Sequence, residues 1–557
     1  MHFYDCRYIN QFKDRVDARI YTHASLPLAR AEIEGPIAEL NIIDESFFAS
    51  CIETHSIPLT DLVASTLGAS TQKVCRAVIE ALSAGKALLQ ELRTAKLEPD
   101  IFRAVKECKR EELPHFSPEW FEKRQTREIK RLPQRSKAPM LVECLAHEIV
   151  LPRAISHAVT LDLTSNAVKI HRRRPITRFS SPKGGAAEVL ILDADANRQL
   201  IEPWFPDVEF VDIGATRNTH VTQCVSSRCS TTSLVPAKNA DAKSRAQAEK
   251  KLLDIDQLIL RKSNEGKRIL VIGPQVITGN KKQGIPPLLT CPPGVTMAHF
   301  GGVRGIDIWK ESDGVIIIGR NQPPIAGVED IARAIWYDAT EPLIFAEDWA
   351  EVVRGYRMAP GLPAQGVNVQ VHPDPRVQAV VEQVRESETT QSIDRVRAVH
   401  APETKEVIIF SNVPVDIDVD VLASFSNITL GTRFEQAWSR VNGAMPLAPA
   451  WLAETFPDLW STVEAAKNDV GGQKSQNPNI VSIRSLPLLT YEYRLAGQTR
   501  RSHAISTLPV HGAQDELTRL LAAPIILREG RNIVDNIEYF GAVGMAVLAP
   551  ATACGSA

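Results

Sequence analysis

Short apolar runs alternate with segments of helical periodicity through the middle of the chain. The strand-like runs are Val189–Asp193, Val208–Ile213, Arg268–Gly273, Val315–Gly319 and Glu406–Ser411. Ala246–Lys262 and Val328–Tyr337 have the spacing of helices that lie between such strands. This alternation predicts an α/β fold, with a mostly parallel sheet and helices on both faces. Ligands of such sheets lie at the carboxyl ends of the strands, so we expect chemistry in the segments that follow them.

The segments on either side have different patterns. Leu40–Ile43 is a short apolar run that ends in acidic residues, as a buried strand of an α/β sheet does. Val159–Leu163 and Ala167–Arg174 flank Thr164–Asn166, and this arrangement predicts a β-hairpin. Residues 430–557 are less regular, with signals for short helices and strands.

Composition excludes several protein classes. Apolar residues make up 44% and charged residues 23% of the chain, which is typical of a folded domain protein. The net charge is -2, so any nucleic-acid surface must come from local patches. No uncharged apolar run is long enough to span a membrane, and no secretory signal is evident, so we expect no membrane partner. Nine cysteines without a Cys-x-x-Cys pair predict a protein of the reducing cytoplasm.

An acidic pair, Asp44 and Glu45, directly follows the run Leu40–Ile43. In nucleotide-hydrolysing motors, an Asp at the end of such a strand holds Mg²⁺ through its water shell. The neighbouring Glu orients the attacking water. By itself, so short a segment is more often a solvated acidic turn after a strand.

The surrounding segments favour the motor interpretation. In chain order they are Thr22–Ala24, the acidic pair, Ile191–Ala196, Arg268–Gln275, His299–Asp307 and Gln391–Arg397. This series resembles the ordered motifs of superfamily 2 helicases of the DEAD/DEAH type, of the kind carried by phages and plasmids. The resemblance covers roughly residues 15–420. It implies RecA-like parallel-sheet domains with a helical insertion and an α+β region at the carboxyl end.

The resemblance also implies boundaries within the chain. Residues 1–50 would be the remnant of a first RecA-like domain, and residues 51–158 a helical insertion. Residues 159–200 would form the hairpin and a motif III-like strand. Residues 201–425 would be a second RecA-like domain, and residues 426–557 a C-terminal accessory region.

The resemblance implies roles for particular residues. Asp44 would bind Mg²⁺, Glu45 would activate water, and Arg395 or Arg397, on a helix that faces the nucleotide, would stabilise the transferred phosphoryl group. The further nucleotide contacts would be Gln391, Arg304 and Gly305, and His23 would contact nucleic acid. For Arg304, the simpler alternative is a loop arginine that pairs with Asp307. For Arg395 and Arg397, it is a surface helix with ordinary charges.

Two departures from the family pattern matter. Motif VI has Asp394 in place of its glycine, and its second arginine comes one residue early. More seriously, Gly-x-x-x-x-Gly-Lys-Ser/Thr, the loop that cradles the β- and γ-phosphates, does not occur in the sequence. In the family this loop precedes the Thr-His-Ala segment, so it would lie before Met1. We therefore expect an incomplete or split motor, which uses ATP and Mg²⁺ only if a partner chain supplies the loop.

Two basic patches suggest nucleic acid, DNA in preference to RNA, as a partner. They consist of Lys123, Arg124, Arg127, Lys130 and Arg131 in one run, and Arg172, Arg173 and Arg174 in the other. Such side chains neutralise phosphates whatever the base sequence. A solvated connector would carry the same charges.

Two further hypotheses stay open. The first is a non-catalytic nucleic-acid-binding or scaffolding protein built on a degenerate helicase fold. The second is a regulator that uses Leu59–Leu82 as a helix-turn-helix. An αα-hairpin within a helical insertion is the plainer explanation of that segment.

Overall fold

The structure, a computed structural model, describes residues 19–28, 38–63, 67–109, 137–179, 188–438, 440–471 and 489–532. The chain forms two compact units. Unit 1 takes its described residues from 1–214, 322–352 and 370–388. Unit 2 takes its described residues from 215–321, 353–369 and 389–557.

The elements of the first part of the chain belong to unit 1. Its strands are β1 (Leu40–Asp44), β2 (Ile52–Pro58), β3 (Val159–Asp162), β4 (Ala167–Arg173) and β5 (Glu188–Leu192). Its helices are α1 (Leu59–Leu62), α2 (Ala69–Ser83), α3 (Leu88–Thr94), α4 (Glu98–Lys109), α5 (Ala138–Glu148) and α6 (Arg198–Ile201).

The middle of the chain carries the longest elements. Its strands are β6 (Thr219–Cys224), β7 (Ile269–Gly273), β8 (Val295–His299), β9 (Gly314–Ile318), β10 (Ala350–Gly355), β11 (Gly366–Val371), β12 (Lys405–Phe410) and β13 (Val421–Ala423). Its helices are α7 (Thr231–Leu234), α8 (Ala242–Asn264), α9 (Gln275–Thr278), α10 (Ile325–Ile335), α11 (Pro375–Asp394), α12 (Phe425–Thr429) and α13 (Arg433–Trp438).

The last part of the chain contains β14 (Ala444–Pro446), β15 (Leu489–Leu495), β16 (Ser502–Ser506) and β17 (Ile525–Asn532). Its helices are α14 (Pro449–Thr455), α15 (Val463–Gly471) and α16 (Val510–Leu521).

Unit 2 is built on a six-stranded, all-parallel sheet of order β13-β6-β12-β9-β7-β8. Every residue of β7 and β9 is buried, which explains their continuous apolar sequences. Ile255 and Ile259 of α8 pack on one face of the sheet. Val303 and Trp309 pack on the other. The prediction of an α/β fold with a parallel sheet is confirmed.

Unit 1 contains two smaller sheets. β2, β4 and β3 form an antiparallel sheet, and β3 and β4 are the predicted hairpin. This sheet shares a core with α2, α4 and α5, where Val74, Ile101, Leu141 and Ile170 are fully buried. β1 and β5 form a separate parallel pair.

One predicted strand is wrong, because Val208–Ile213 has no regular secondary structure. Val211 is 75% and Ile213 84% exposed, whereas Val208 and Phe210 pack against the small apolar cluster that contains Ile43. The carboxyl-terminal part of unit 2 is a four-stranded antiparallel sheet of order β14-β16-β15-β17. Leu517 of α16 packs with Tyr493 of β15. Among the residues that the structure describes, no helix combines the length and apolar character that a bilayer crossing requires.

A buried polar network stabilises unit 1. The Glu148 carboxylate accepts hydrogen bonds from the backbone N–H groups of His157 (2.7 Å) and Ala158 (3.0 Å), and also from Ser156 and Arg153. Glu148 and His157 are fully buried. The Nε2 atom of His157 accepts a hydrogen bond from the backbone N–H of Leu343 at 2.9 Å. A neutral imidazole can accept this bond and a protonated one cannot. Burial lowers the pKa of His157 to about 4.

We expect the free energy of unfolding to fall as the pH is lowered from 6.5 towards 4. The unfolded chain takes up a proton on His157 at its ordinary pKa of 6.5, whereas the folded chain does so only near 4. The unfolded state therefore binds more protons over this interval and is favoured by acid, by up to about 3 kcal/mol. Urea unfolding between pH 7 and pH 4 measures this. A His157→Gln variant should be less stable at pH 7 but should lose less stability on acidification. Parallel pH profiles for the two proteins would contradict the assignment.

Candidate functional site

In unit 1, two acidic segments meet at one sheet edge. β1 and β5 are parallel neighbours, and Asp44 at the end of β1 pairs with Leu192 at the end of β5. The backbone N–H of Glu45 donates to the carbonyl oxygen of Leu192 at 2.8 Å, and Glu45 has a φ of 63°. Asp193, directly after β5, accepts a 3.0 Å hydrogen bond from the backbone N–H of Asp195. Both strands therefore end in carboxylates at the same edge.

The fit of this edge to Mg²⁺ is partial. Mg²⁺ prefers octahedral oxygen coordination, usually with one or two protein carboxylates and with waters or phosphate oxygens for the rest. Within the described ranges, no three His, Cys, Asp or Glu side chains converge in a way that would hold a metal ion. The exposed carboxylate of Asp44 thus suits an ion that is shared with a phosphate group, and the edge does not form a protein-only metal cage.

A small cleft with a mixed polar and apolar lining lies beside the acidic edge. Its lining consists of Ser46, Phe47, Phe48, Asp193, Asn197, Leu200, Ile201 and Gln383. Gln383 is 5% exposed, and its Nε2 atom has no hydrogen-bond partner among the described residues. Sequence reasoning did not single out Gln383, because nothing near it in the chain marks it.

The Thr-His-Ala segment lies close to β1. His23 is half-buried and begins a single 3-10 turn, His23–Ser25. Leu26, three residues on, shares a small apolar cluster with Ile43 of β1 and with Phe47. This shared cluster positions the segment near the strand that carries the acidic pair.

In unit 2, the motif VI-like segment begins on a helix and leaves it. Gln391 is buried in the last turn of α11, and the helix ends at Asp394. Arg395 and Arg397 therefore follow the helix, and the prediction that they lie on it was wrong. Arg397 adopts a left-handed conformation with a φ of 56°. This conformation is incompatible with a continued helix, and Arg397 begins the turn that leads towards β12.

Ion pairs organise this segment. The Nε atom of Arg397 donates to Oδ1 of Asp307 at 2.8 Å. Asp394 accepts two hydrogen bonds from Arg217, of 2.7 Å and 2.8 Å. The aspartate that replaces the family glycine thus pairs with an arginine that precedes β6. No signal in the sequence identifies Arg217 as its partner.

The loop after β8 carries the motif V-like residues. A Cβ atom on Gly302 would lie 2.5 Å from the His299 ring, so a larger residue there would require that ring to move. Gly305 has a φ of 67°, which glycine adopts without strain. Val303 is buried in the core, while Arg304 is exposed. The loop is therefore anchored at Val303 and presents the guanidinium of Arg304 to solvent.

Three cations surround Asp307. The hydrogen bond from Arg397, together with the charges of Arg397, Lys310 and Arg395, holds the pKa of Asp307 below its ordinary range. The carboxylate therefore stays ionised at neutral pH and partly neutralises the arginines.

The arginines do not lie at the carboxyl edge of the six-stranded sheet, contrary to our expectation for chemistry in an α/β fold. The backbone N–H of Asn218 donates a hydrogen bond to the carbonyl oxygen of Ala398. The backbone N–H of Lys405 donates in turn to the carbonyl oxygen of Asn218. Asn218 directly precedes β6, and Lys405 begins β12. Arg395 and Arg397 thus lie near the amino ends of these two strands.

The basic patch at the end of β4 is engaged within unit 1. Arg172 pairs with Glu53, and the Nε atom of Arg174 lies 3.9 Å from the same carboxylate. Arg173 donates to the carbonyl oxygen of Ile335 at 2.9 Å and to Asp338 at 2.8 Å. All three are half-buried, so their charges already have protein partners. Lys123, Arg124, Arg127, Lys130 and Arg131 lie outside the described residues.

The helix-turn-helix segment packs as part of a helical core. α1 has only four residues, and Val74 and Val78 of α2 are fully buried. Lys73 pairs with Asp100 at 2.5 Å. This packing favours the plainer interpretation of a helical insertion.

Comparison with models of protein families, with curated proteins and with solved structures found no match to this chain.

We expect Arg173→Gln to lower the free energy of unfolding by about 1–3 kcal/mol, because it leaves the carbonyl oxygen of buried Ile335 without its donor and also removes the ion pair with the exposed Asp338. The matched control is Arg198→Gln, since Arg198 forms an exposed ion pair with Glu202 at 3.0 Å. Its loss should cost less than about 1 kcal/mol. Urea unfolding of both variants measures the difference. Equal stabilities, together with weaker DNA binding by Arg173→Gln alone, would instead make Arg173 a nucleic-acid contact.

Proposed function

We propose that the chain is a nucleic-acid-dependent ATPase of the superfamily 2 helicase type, active only together with a phosphate-binding loop that does not occur among these 557 residues. One observation carries this proposal. Asp307 and Arg397, 90 residues apart in the chain, are joined by a 2.8 Å hydrogen bond. They belong to the motif V-like and motif VI-like segments. Two chance resemblances would have no reason to meet in space.

The first pair of segments supports the same proposal. Asp44–Glu45 and the Ile191–Ala196 segment come from strands that are parallel neighbours with coincident carboxyl ends. The motif II-like and motif III-like residues thus share one edge. A motor of this type requires that its motifs lie close together in pairs within each unit.

The residues present suit the reacting end of a nucleotide. Asp44 would be the protein ligand of Mg²⁺, and the Glu45 carboxylate would take the proton from the attacking water. Arg395 or Arg397 would place a guanidinium against charge that develops on the transferred phosphoryl group. ATP with Mg²⁺, when bound, would supply the phosphoanhydride bond whose hydrolysis drives movement. Arg304, exposed on its anchored loop, would contact the nucleic-acid backbone.

The residues present do not provide a binding site for the phosphate chain of the nucleotide. No Gly-x-x-x-x-Gly-Lys-Ser/Thr segment occurs among the 557 residues, so the chain offers neither that backbone cradle nor its lysine. Positioning accounts for most of the available rate in phosphoryl transfer. The chain alone should therefore bind nucleotide weakly and turn it over little.

The absence of this loop also favours a second candidate, a non-catalytic nucleic-acid-binding or scaffolding protein on a degenerate helicase fold. It differs from the first in a measurable way. Its binding to single-stranded DNA would not respond to nucleotide, even when the loop is supplied in trans.

We expect the purified chain to release no phosphate from ATP above background, with or without single-stranded DNA. The reason is the missing phosphate cradle, so Glu45→Gln should behave as the parent does. Steady-state phosphate release measures both proteins. DNA-stimulated turnover that Glu45→Gln abolishes would refute the need for an added phosphate-binding loop, although it would uphold the role of Glu45.

A further inference from the structure

The antiparallel sheet near the end of unit 2 turns one face towards solvent. Glu492 of β15 lies between His503 of β16 and Arg528 of β17, and Arg494 of β15 pairs with Ile526 of β17. Residues that pair directly across an antiparallel ladder have their side chains on the same face of the sheet. The side chains of Arg494, His503, Ile526 and Arg528 are all exposed. This face therefore presents charged groups to water.

The opposite face of the same sheet is covered. Tyr493 of β15 pairs with Ser502 and Leu527, and it packs with Leu517 of α16. Tyr491, two residues earlier on the same side of the strand, is 1% exposed. An antiparallel sheet commonly has one face in the core and the other in water. Both tyrosines of β15 lie on the core side, so neither is available on the exposed face.

Ion pairing distinguishes the exposed face from the helices of the same region. The helical arginines have carboxylate partners, in the pairs Arg433–Asp469, Arg440–Asp458 and Arg519–Glu516. Within the described ranges, Arg494, Arg528 and Arg500, which lies in the connection between β15 and β16, form no ion pair. Their guanidinium groups are therefore available to an external anion.

A fourth arginine adds to this charge. Arg501 directly precedes β16, and its Nη1 atom lies 3.3 Å from Oε2 of Glu492. We call Arg494, Arg500, Arg501 and Arg528 the basic surface. Glu492 is the one carboxylate that the described residues place against these four cations, so positive charge is in excess.

The sequence on either side of the sheet does not balance this excess. Residues 472–488 contain two basic residues and no acidic one. Residues 533–557 contain two acidic residues. The charge of the basic surface thus calls for an anionic partner from outside the chain.

We propose that the basic surface binds the phosphate backbone of double-stranded DNA. It rests on the proposed function only for the choice of nucleic acid as partner, and it adds an interface outside the motif-like segments that requires no nucleotide. Guanidinium groups form charge-assisted hydrogen bonds with phosphate oxygens. Each neutralised phosphate also releases counterions, which favours binding whatever the base sequence.

The arrangement of the basic surface favours a duplex over a single strand. Arg494 and Arg528 occupy diagonal positions on neighbouring strands, about 7–8 Å apart at their Cα atoms. A duplex offers one negative charge per about 1.7 Å of its axis, twice the density of either strand. Proteins that bind single strands add aromatic side chains on which bases stack. The tyrosines of β15 are buried on the other face, so charge density decides and the duplex is preferred.

DNA binding by the full chain without nucleotide tests the proposal. The Kd for a short duplex is measured by fluorescence anisotropy at NaCl concentrations between about 0.05 and 0.2 M. Arg494→Gln and Arg528→Gln should each raise the Kd about fivefold to tenfold near 0.1 M NaCl. Each should also reduce the slope of log Kd against log salt concentration by about 0.9, the value for one lost phosphate contact.

The matched control is Arg440→Gln, which removes the same charge from the same unit. Arg440 donates two hydrogen bonds to Asp458, of 2.9 Å and 2.7 Å, so its charge is already engaged. The slope should therefore stay that of the parent chain. Circular dichroism confirms that each variant folds, as expected for exposed side chains outside the core.

Several results would overturn the proposal. They are an unchanged Kd and slope in the folded double variant of Arg494→Gln and Arg528→Gln, an equal loss in Arg440→Gln, and tighter binding of a single strand than of a duplex of the same length. Loss of binding to phosphatidylserine vesicles by a double variant that retains DNA binding would make the basic surface a membrane contact instead.

Arg304→Gln separates this proposal from the proposed function. Weaker DNA binding in Arg304→Gln, with no change in the double variant, would overturn the basic surface and leave the proposed function intact. Weaker binding in the double variant alone would support the basic surface and contradict the nucleic-acid contact proposed for Arg304.

Discussion

Parallel strands impose the constraint from which the rest of this molecule follows. They need cover on both faces, and they bring their ends together at common edges. Unit 2 satisfies the first demand with α8 on one face and the loop after β8 on the other. In unit 1, the carboxyl ends of β1 and β5 coincide and bring Asp44 and Asp193 to one edge. The side chains on one face of this pair are exposed. The acidic edge and the exposed face are two consequences of the same strand pair.

Ion pairing decides which charges remain available for a ligand. The arginines that end β4 are engaged by Glu53, Asp338 and backbone carbonyls, which explains why a basic run in the sequence need not be a binding surface. Near the amino end of β12, Asp307 pairs with Arg397, and Asp394 pairs with Arg217. Local pairing, and not the count of basic residues, therefore determines where phosphate could bind.

Buried apolar strands and the long helix could be predicted from the sequence, because continuous runs such as Ile269–Gly273 must be hidden from water. β6, with the sequence Thr-His-Val-Thr-Gln-Cys, was missed because its buried Thr222 and Gln223 look like surface residues. Local pattern also could not show that the helix before Arg395 ends at Asp394. Arg217, which pairs with Asp394, and Gln383, which lines the cleft, come from distant parts of the chain and carry no local signal.

We propose that the chain carries the reacting end of a nucleotide site and does not contain its phosphate cradle. The decisive experiment is equilibrium binding of ATP with Mg²⁺ to the purified chain, measured by calorimetry. We predict no saturable binding, or a Kd weaker than about 1 mM. Saturable binding with a Kd near 1 μM that Asp44→Asn weakens would show that the chain holds phosphates by itself, and would contradict the claim.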